Sequence, residues 1–177
     1  DPVRFEKIMD TAEPALRAYM ENGAPDPVIR EVEHPDVGLW AIWAIQQYAK
    51  EVGVQKAAQR YGDLVGEVIT YIMAQKHPDM KMMDNGLLFA NGRDKAITWM
   101  NSTVNGRPVV PRSGYIVEFN ALWYNALCFY NELLGAEPNA EVSRVIALVE
   151  KSFPQTFING FNYLFDYVNG SYVDWSV

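Results

Sequence analysis

Hydrophobic residues recur every three to four positions over most of the chain, which is the spacing of one face of a helix. The pattern predicts helices over the ranges 1–22, 36–52, 54–76, 118–134 and 140–153. The clearest single stripe lies in 54–76. The run LWAIWAI at 39–45 is apolar nearly all round, so it predicts a helix that is buried on most faces. Pro14 predicts a kink or a restart in the first helix.

The range 77–117 breaks this pattern with a close succession of Gly, Asn, Asp and Pro turn signals. It also contains large apolar side chains, which argue against disorder. A loop of this length is uncommon unless it is functional, so we predict one long ordered loop that carries short strands. After residue 154 the sequence predicts a short helix or turn, and then a β-hairpin around 168–170. The fold class predicted is all-α, built from antiparallel helical pairs.

Composition and charge narrow the function classes. The 177 residues suggest one domain, and the net charge of −7 without a basic stripe argues against nucleic acid and against an anionic membrane surface. No apolar run approaches the roughly 20 residues of a membrane-spanning helix. The N-terminus does not have the shape of a signal peptide, so we expect a cytoplasmic protein. The single cysteine, Cys128, lies in an apolar run and is expected to be a buried hydrophobe.

Carboxylates are the candidates for chemistry. The chain has no phosphate-binding loop, no dinucleotide fingerprint and no nucleophile elbow. Its two histidines lie beside prolines without partners at metal-ligand spacing, so no metal is expected. Asp36, Glu118 and Asp174 each lie next to aromatic residues at an element boundary. Their alternative roles are a helix N-cap, a first-turn charge and a solvated turn residue, respectively.

The stretch from Thr98 to Tyr130 has the composition of a sugar-binding wall, with tryptophans, tyrosines, arginines and small polar residues around one carboxylate, Glu118. Glycoside hydrolysis usually requires two carboxyl groups. If the helix starts cluster at one end of an antiparallel array, Asp36 and Glu118 will share that end. The sequence therefore indicates a sugar site whose second carboxyl is not obvious.

Several motifs of this stretch resemble the C-terminal domain of glycogen debranching enzymes, the amylo-α-1,6-glucosidase family. TWMN at 98–101, VPR at 110–112, Gly114 and VEFNALWYNAL at 117–127 are similar to the family's TWMD, TPR and G-x-x-VEI-ALWYNAL. Weaker matches are DVGLW at 36–40 to D-A-x-LW, NGLL at 85–88 to D-G-L-L, and DWSV at 174–177 to the residues before R-P-N. The resemblance covers residues 24–177.

The resemblance implies an (α/α)6 toroid and hydrolysis of α-1,6-glucosidic branch points in glycogen or related α-glucans, without metal or cofactor. A full toroid has about twelve helices, and about six are expected here. We therefore predict that residues 1–177 form a single partial domain, about half of a toroid, of a bacterial-type debranching enzyme. Such a piece is expected to be inactive alone, and either to self-associate through exposed apolar faces or to be marginally stable.

The resemblance also implies site residues. The family's aspartate that resembles a general acid is Asn101 here, and an amide cannot donate a proton as a carboxylic acid does. Glu118 is the candidate acid or a carboxylate that supports the acid, and the base is expected beyond Val177. Trp99, Trp123 and Tyr124 are candidate pocket walls, and Asp36, Asn101, Arg112 and Asn125 are candidates for binding hydroxyls.

Two other functions stay open from the sequence. One is a catalytically inactive α-glucan-binding module, in which Asn101 marks the lost chemistry. The other is a helical scaffold for protein partners, which predicts an exposed apolar patch without converging polar residues.

Overall fold

The computed structural model of the protein describes residues 1–24, 26–170 and 172–173. These residues are 57% helical. The α-helices are α1 (Pro2–Asn22), α2 (Val37–Val52), α3 (Val54–Met73), α4 (Val117–Leu134) and α5 (Ala140–Phe157), with a short 3-10 helix at Arg30–Glu33. The strands are β1 (Met80–Met82), β2 (Leu88–Ala90), β3 (Thr103–Val104), β4 (Arg107–Pro108), β5 (Gly114–Ile116), β6 (Tyr167–Asn169) and β7 (Tyr172–Val173).

The predicted helices are confirmed, and their ends follow local chemistry. The Asp1 carboxylate accepts a hydrogen bond from the Arg4 backbone N–H at 3.1 Å, and Gly23 ends α1 in the left-handed conformation with φ of 69°. The predicted restart at Pro14 is wrong, because α1 is continuous through that residue. Helix α5 likewise continues through Pro154 and ends at Phe157, beyond the predicted end at residue 153.

The all-α prediction is wrong in part, because two antiparallel sheets accompany the helices. One sheet has the strand order β1-β2-β5-β6-β7, and the second pairs β3 with β4. Most of these strands lie in the range predicted as one long loop, and the hairpin predicted around 168–170 is confirmed as β6 and β7. The strands within 77–117 are only two or three residues long, so their alternation of apolar and polar side chains is too short to predict which strands pair. The larger sheet also requires β6 and β7, which lie far along the chain from β5. The toroid and the single partial domain stay predictions.

The core lies where α2, α3 and α4 pack against one another. Helix α1 contacts α2 and α3, and α5 contacts α4. The α2–α3 packing is close at Gly38, where an added Cβ would lie 2.9 Å from the Val68 Cγ1 atom. The expectation that α2 is buried on most faces is only partly met, because the side chains of Trp40 and Trp43 are 37% and 43% exposed. No helix among the described residues has the length and apolar character that a bilayer crossing requires.

Asn120 joins the sheet to the helices. Its side chain is fully buried in α4, and its Oδ1 atom accepts a hydrogen bond from the Leu88 N–H at 2.7 Å. Its Nδ2 group donates to the Leu88 carbonyl at 3.0 Å and to the Ile116 carbonyl at 2.9 Å. A buried amide that satisfies three backbone groups fixes β2 against the start of α4.

Candidate active site

Arg112 is the centre of a buried charge cluster at the start of α4. Its guanidinium donates to both carboxylate oxygens of Glu118, with the Nη2–Oε2 distance at 2.5 Å, and to the Asp166 Oδ1 atom at 2.6 Å. The Arg112 side chain is only 2% exposed. Arg112 precedes β5, Glu118 lies in the first turn of α4, and Asp166 precedes β6. The antiparallel pairing of β5 with β6 brings the three together.

The cluster has one positive and two negative charges. Burial lowers the pKa of Arg112, but the hydrogen bonds and charges of Glu118 and Asp166 outweigh it, so the net shift is upward and the guanidinium stays charged. Both terminal nitrogens of the Arg112 guanidinium bind carboxylates, so the contact of Arg112 with sugar hydroxyls stays a prediction. Arg112 orients Glu118, whose side chain retains 22% exposure.

Asp36 forms a second cluster, with two tryptophans. Its Oδ2 atom accepts a hydrogen bond from the Trp40 Nε1–H at 3.2 Å and another from the Trp99 backbone N–H at 3.0 Å. Asp36 is 3% exposed. The N-cap role weighed from the sequence is not observed, because the side chain makes no capping bond to α2. Asp36 instead attaches the segment that carries Trp99 to the start of α2.

Burial raises the pKa of Asp36, and the hydrogen bonds from Trp99 and Trp40 oppose this shift only in part. The native state therefore holds the Asp36 proton more tightly than the unfolded state. As pH rises through the window above the ordinary value of 3.8, the ionising carboxyl makes the native state less stable. A buried carboxyl group with a perturbed pKa is a feature of functional sites.

Replacing Asp36 with asparagine is expected to raise the free energy of unfolding at pH 7 by about 0.5–2 kcal/mol, because the amide removes the buried charge and keeps an acceptor oxygen. The gain should shrink at pH 3, where the wild-type carboxyl is protonated. Urea unfolding of both proteins at the two pH values measures this. The matched control is Asp84→Asn at an exposed position, which should change stability little. A destabilised Asp36→Asn protein at pH 7 would contradict the expectation.

Gly92 lies between the segment that leads to Trp99 and the segment that carries Arg112. An added Cβ there would lie 2.1 Å from the Arg112 carbonyl oxygen and 2.8 Å from the Ile97 Cγ1 atom. The segment leading to Trp99 therefore packs against the segment that carries Arg112. That Asp36 and Glu118 share one end of the helical array stays a prediction.

The exposed side chains around these clusters could contact a sugar. Trp99 is 61% exposed, and Asn101 is exposed two residues later. Trp40 forms an edge-to-face pair with Trp43, with ring centroids 5.9 Å apart. Exposed tryptophan faces combined with a fixed carboxylate and an amide can bind the apolar face and the hydroxyls of a sugar ring.

Three predicted site residues on α4 lie elsewhere. The Trp123 ring is fully buried and its Nε1–H donates to the Gly86 carbonyl at 3.1 Å, so the ring exposes no face in this structure and its role as a pocket wall stays a prediction. The Tyr124 hydroxyl donates to Glu150 of α5 at 2.8 Å, a bond that with burial raises the pKa of Tyr124. The Asn125 Nδ2 group is buried without a hydrogen-bond partner among the described residues. Tyr124 and Asn125 lie roughly 10 Å along the helix from Glu118, at 1.5 Å per residue.

Sequence reasoning missed Asp166 and did not single out Trp40. Asp166 could have been suspected from Arg112, because a buried arginine needs carboxylates to pair its charge. Asp174 and the DWSV motif lie outside the described residues. His77 is a buried structural residue whose ring nitrogens contact the Glu33 carbonyl and the Asp79 N–H. The described part of the chain has no cluster of three metal-ligating side chains.

The comparisons with known proteins agree with the motifs. A family model described as amylo-alpha-1,6-glucosidase matches residues 24–176. The search of curated proteins gave no match, and the search of solved structures gave none either. The matched range includes the Arg112 cluster, the Asp36 cluster, the exposed tryptophans and all helices except α1. Because a family model matches most of its length, the chain belongs to the amylo-alpha-1,6-glucosidase family of glycogen debranching-type glycoside hydrolases.

Proposed function

We propose that the protein takes part in hydrolysis of α-1,6-glucosidic branch points in glycogen or a related α-glucan. The observation that carries the proposal is the buried Arg112, which fixes Glu118 and Asp166 beside the segment that exposes Trp99. The transition state of glycoside hydrolysis resembles a positively charged oxocarbenium ion. A fixed cluster with net negative charge stabilises such a cation, at no cost of reorganisation.

In this proposal Glu118 supports the acid and does not act as the acid itself. A general acid must present an O–H group to the glycosidic oxygen, whereas both Glu118 oxygens accept guanidinium hydrogen bonds. An ionised carboxylate still has lone pairs that can accept a sugar hydroxyl. Glu118 and Asp36 would thus bind hydroxyls, Trp99 and Trp40 would contact the ring, and the Asn101 amide would add hydrogen bonds. If water attacks directly, the two reacting carboxyls should lie roughly 6.5–9.5 Å apart and the configuration inverts.

A second candidate function is α-glucan binding without hydrolysis. It is favoured by Asn101, which replaces the acidic residue of the family motif TWMD with an amide. Binding needs the tryptophans and the hydroxyl-binding carboxylates but no proton donor. Under this proposal the protein binds maltooligosaccharides and releases no glucose from a branched dextrin.

Glucose release from a glycogen limit dextrin by the natural gene product that contains this chain separates the two. We expect Glu118→Gln to lower kcat by about 100-fold, since removing one preorganised group that stabilises the transition-state charge costs about 10²–10³ in kcat. The matched control is Glu132→Gln, an exposed carboxylate on the same helix, which should leave kcat unchanged. If the wild-type protein binds maltoheptaose but releases no glucose, the binding function replaces hydrolysis. Full activity in Glu118→Gln would remove Glu118 from the site.

A further inference from the structure

The segment 158–165, between α5 and β6, presents large apolar side chains to solvent. Phe161 is 78% exposed and Tyr163 is 70% exposed, and both exceed the exposure of Trp99. Ile158 and Leu164, at 42% and 41%, lie at the base of the same segment. Exposed aromatic residues that cluster in one segment cost solubility, so they usually mark a binding surface.

The segment is held in shape by Asn159. The Asn159 Oδ1 atom accepts hydrogen bonds from the N–H groups of Phe161 at 2.8 Å and Tyr163 at 3.1 Å. Its own N–H donates to the Tyr163 carbonyl at 2.9 Å. The base is closed by a bridge between Ile158 and Leu164. The two aromatic side chains therefore project from a fixed backbone, which lowers the entropy cost of binding through them.

The segment is also uncharged, in a chain where 21% of the residues are charged. From 152 to 165 the sequence has no Asp, Glu, Lys or Arg, and its polar side chains are hydroxyls and amides. A nucleic acid or a charged peptide would find no counter-charge here. Aromatic faces combined with amides match a neutral ligand that has apolar ring faces and many hydroxyls.

We propose that the segment 158–165 is a second α-glucan-binding surface, which contacts the chain of the polysaccharide away from the reacting glucose. The segment leads directly into Asp166, whose carboxylate binds Arg112, so a glucan chain lying on it continues toward the candidate active site. The inference rests on the proposed function for its ligand class. It adds a named surface, with Phe161 and Tyr163 as the contacting residues and Asn159 as the positioning residue.

The test is the affinity of the double variant Phe161→Ala/Tyr163→Ala for glycogen, maltoheptaose and maltose, measured by affinity gel electrophoresis and calorimetry. Truncating central aromatic contacts commonly costs more than 1 kcal/mol, so we expect Kd for glycogen to rise about tenfold. Kd for maltose, which is too short to span both surfaces, should change less than twofold. The matched control is Ile8→Ala, a 58% exposed apolar residue on α1, which should leave all three affinities unchanged.

A second variant, Asn159→Ala, keeps both aromatic side chains and removes the acceptor that fixes them. This variant should also weaken glycogen binding, and the thermal unfolding midpoint of the protein should stay unchanged. Sedimentation of wild type and double variant separates a glucan surface from a protein surface. Unchanged glycogen affinity in the double variant overturns the inference, and so does a loss of self-association without a loss of glycogen affinity.

The inference and the proposed function fail separately. If the double variant weakens glycogen binding but wild type releases no glucose, the surface stands and hydrolysis does not. If wild type hydrolyses limit dextrin and the double variant binds glycogen equally well, hydrolysis stands and the surface does not. If wild type binds no glycogen, the surface is overturned.

Discussion

Replacing Arg112 with methionine is expected to lower the free energy of unfolding by about 3–5 kcal/mol, the cost of leaving a buried charge without its partner. The change would leave Glu118 and Asp166 facing each other without the guanidinium that both contact. Urea unfolding at pH 7 measures the loss. The same variant should lose the proposed glucan chemistry of the site, because nothing then orients Glu118.

The matched control for this variant is Arg144→Met. Arg144 also bonds a carboxylate, that of Glu141, but both side chains are more than half exposed. Such a surface pair contributes about 0–1 kcal/mol. A lysine at position 112 keeps the charge but cannot form the forked contact, so it should fall between methionine and wild type. Equal losses for Arg112→Met and Arg144→Met would show that the Arg112 cluster is not energetically important.

Replacing Gly114 with alanine is the second change with a large expected effect, a loss of about 3 kcal/mol or more in the free energy of unfolding. Gly114 has φ of 126°, and a Cβ there would lie 2.3 Å from the Val168 carbonyl oxygen. Because that oxygen belongs to the backbone of β6, the strands must separate. Since β5–β6 pairing brings Asp166 to Arg112, glucan binding should weaken as well. Thermal unfolding and a glycogen-affinity gel measure the two effects.

Gly106→Ala is the control that separates strain from collision. Gly106 also has a positive φ, 76°, but an added Cβ meets no atom within 4 Å. Its loss should be limited to the conformational cost of about 1–2 kcal/mol. If the two variants are equally destabilised, the contact with Val168 does not decide the effect at Gly114.

The local features of the fold could be predicted from the sequence. The apolar stripe of α3 and the cap of α5 at Asn139 depend only on residues within a turn or two, and both are present. The turn at Gly170 likewise predicts the β6–β7 hairpin. Each of these features is decided by spacing and by single-residue conformational preferences.

The distant contacts could not be predicted in this way. Tyr115 pairs with Val168, and no local signal links two strands so far apart along the chain. Trp123 and Trp99 looked equivalent as sugar contacts, but one is buried against Gly86 and the other is exposed. A tryptophan suits a core and a sugar site equally well, since both remove the same ring from water. Only the tertiary packing decides between them.

For the carboxylates too, the sequence predicted the position of each residue but not the contacts of its side chain. The position of Asp36 at the start of a helix predicted either a cap or a hydroxyl-binding group, and the structure directs its Oδ2 atom to Trp40 and the Trp99 backbone rather than to a capping bond. Glu118 was correctly placed in the first turn of α4. Its pairing with Arg112 and the neighbouring Asp166 depends on the sheet, which the helical pattern does not reveal.

The buried amide of Asn120 has a consequence for motion. Because one side chain satisfies backbone groups of both β2 and the strand that leads into α4, the sheet cannot open without breaking into the helical core. Sheet and helices should therefore lose their structure in one cooperative step, as a single unit of local unfolding. The segments that carry Trp99 and Arg112 are anchored to that unit. An arriving glucan would thus meet a surface that is already assembled, and most of its binding energy would remain available for affinity.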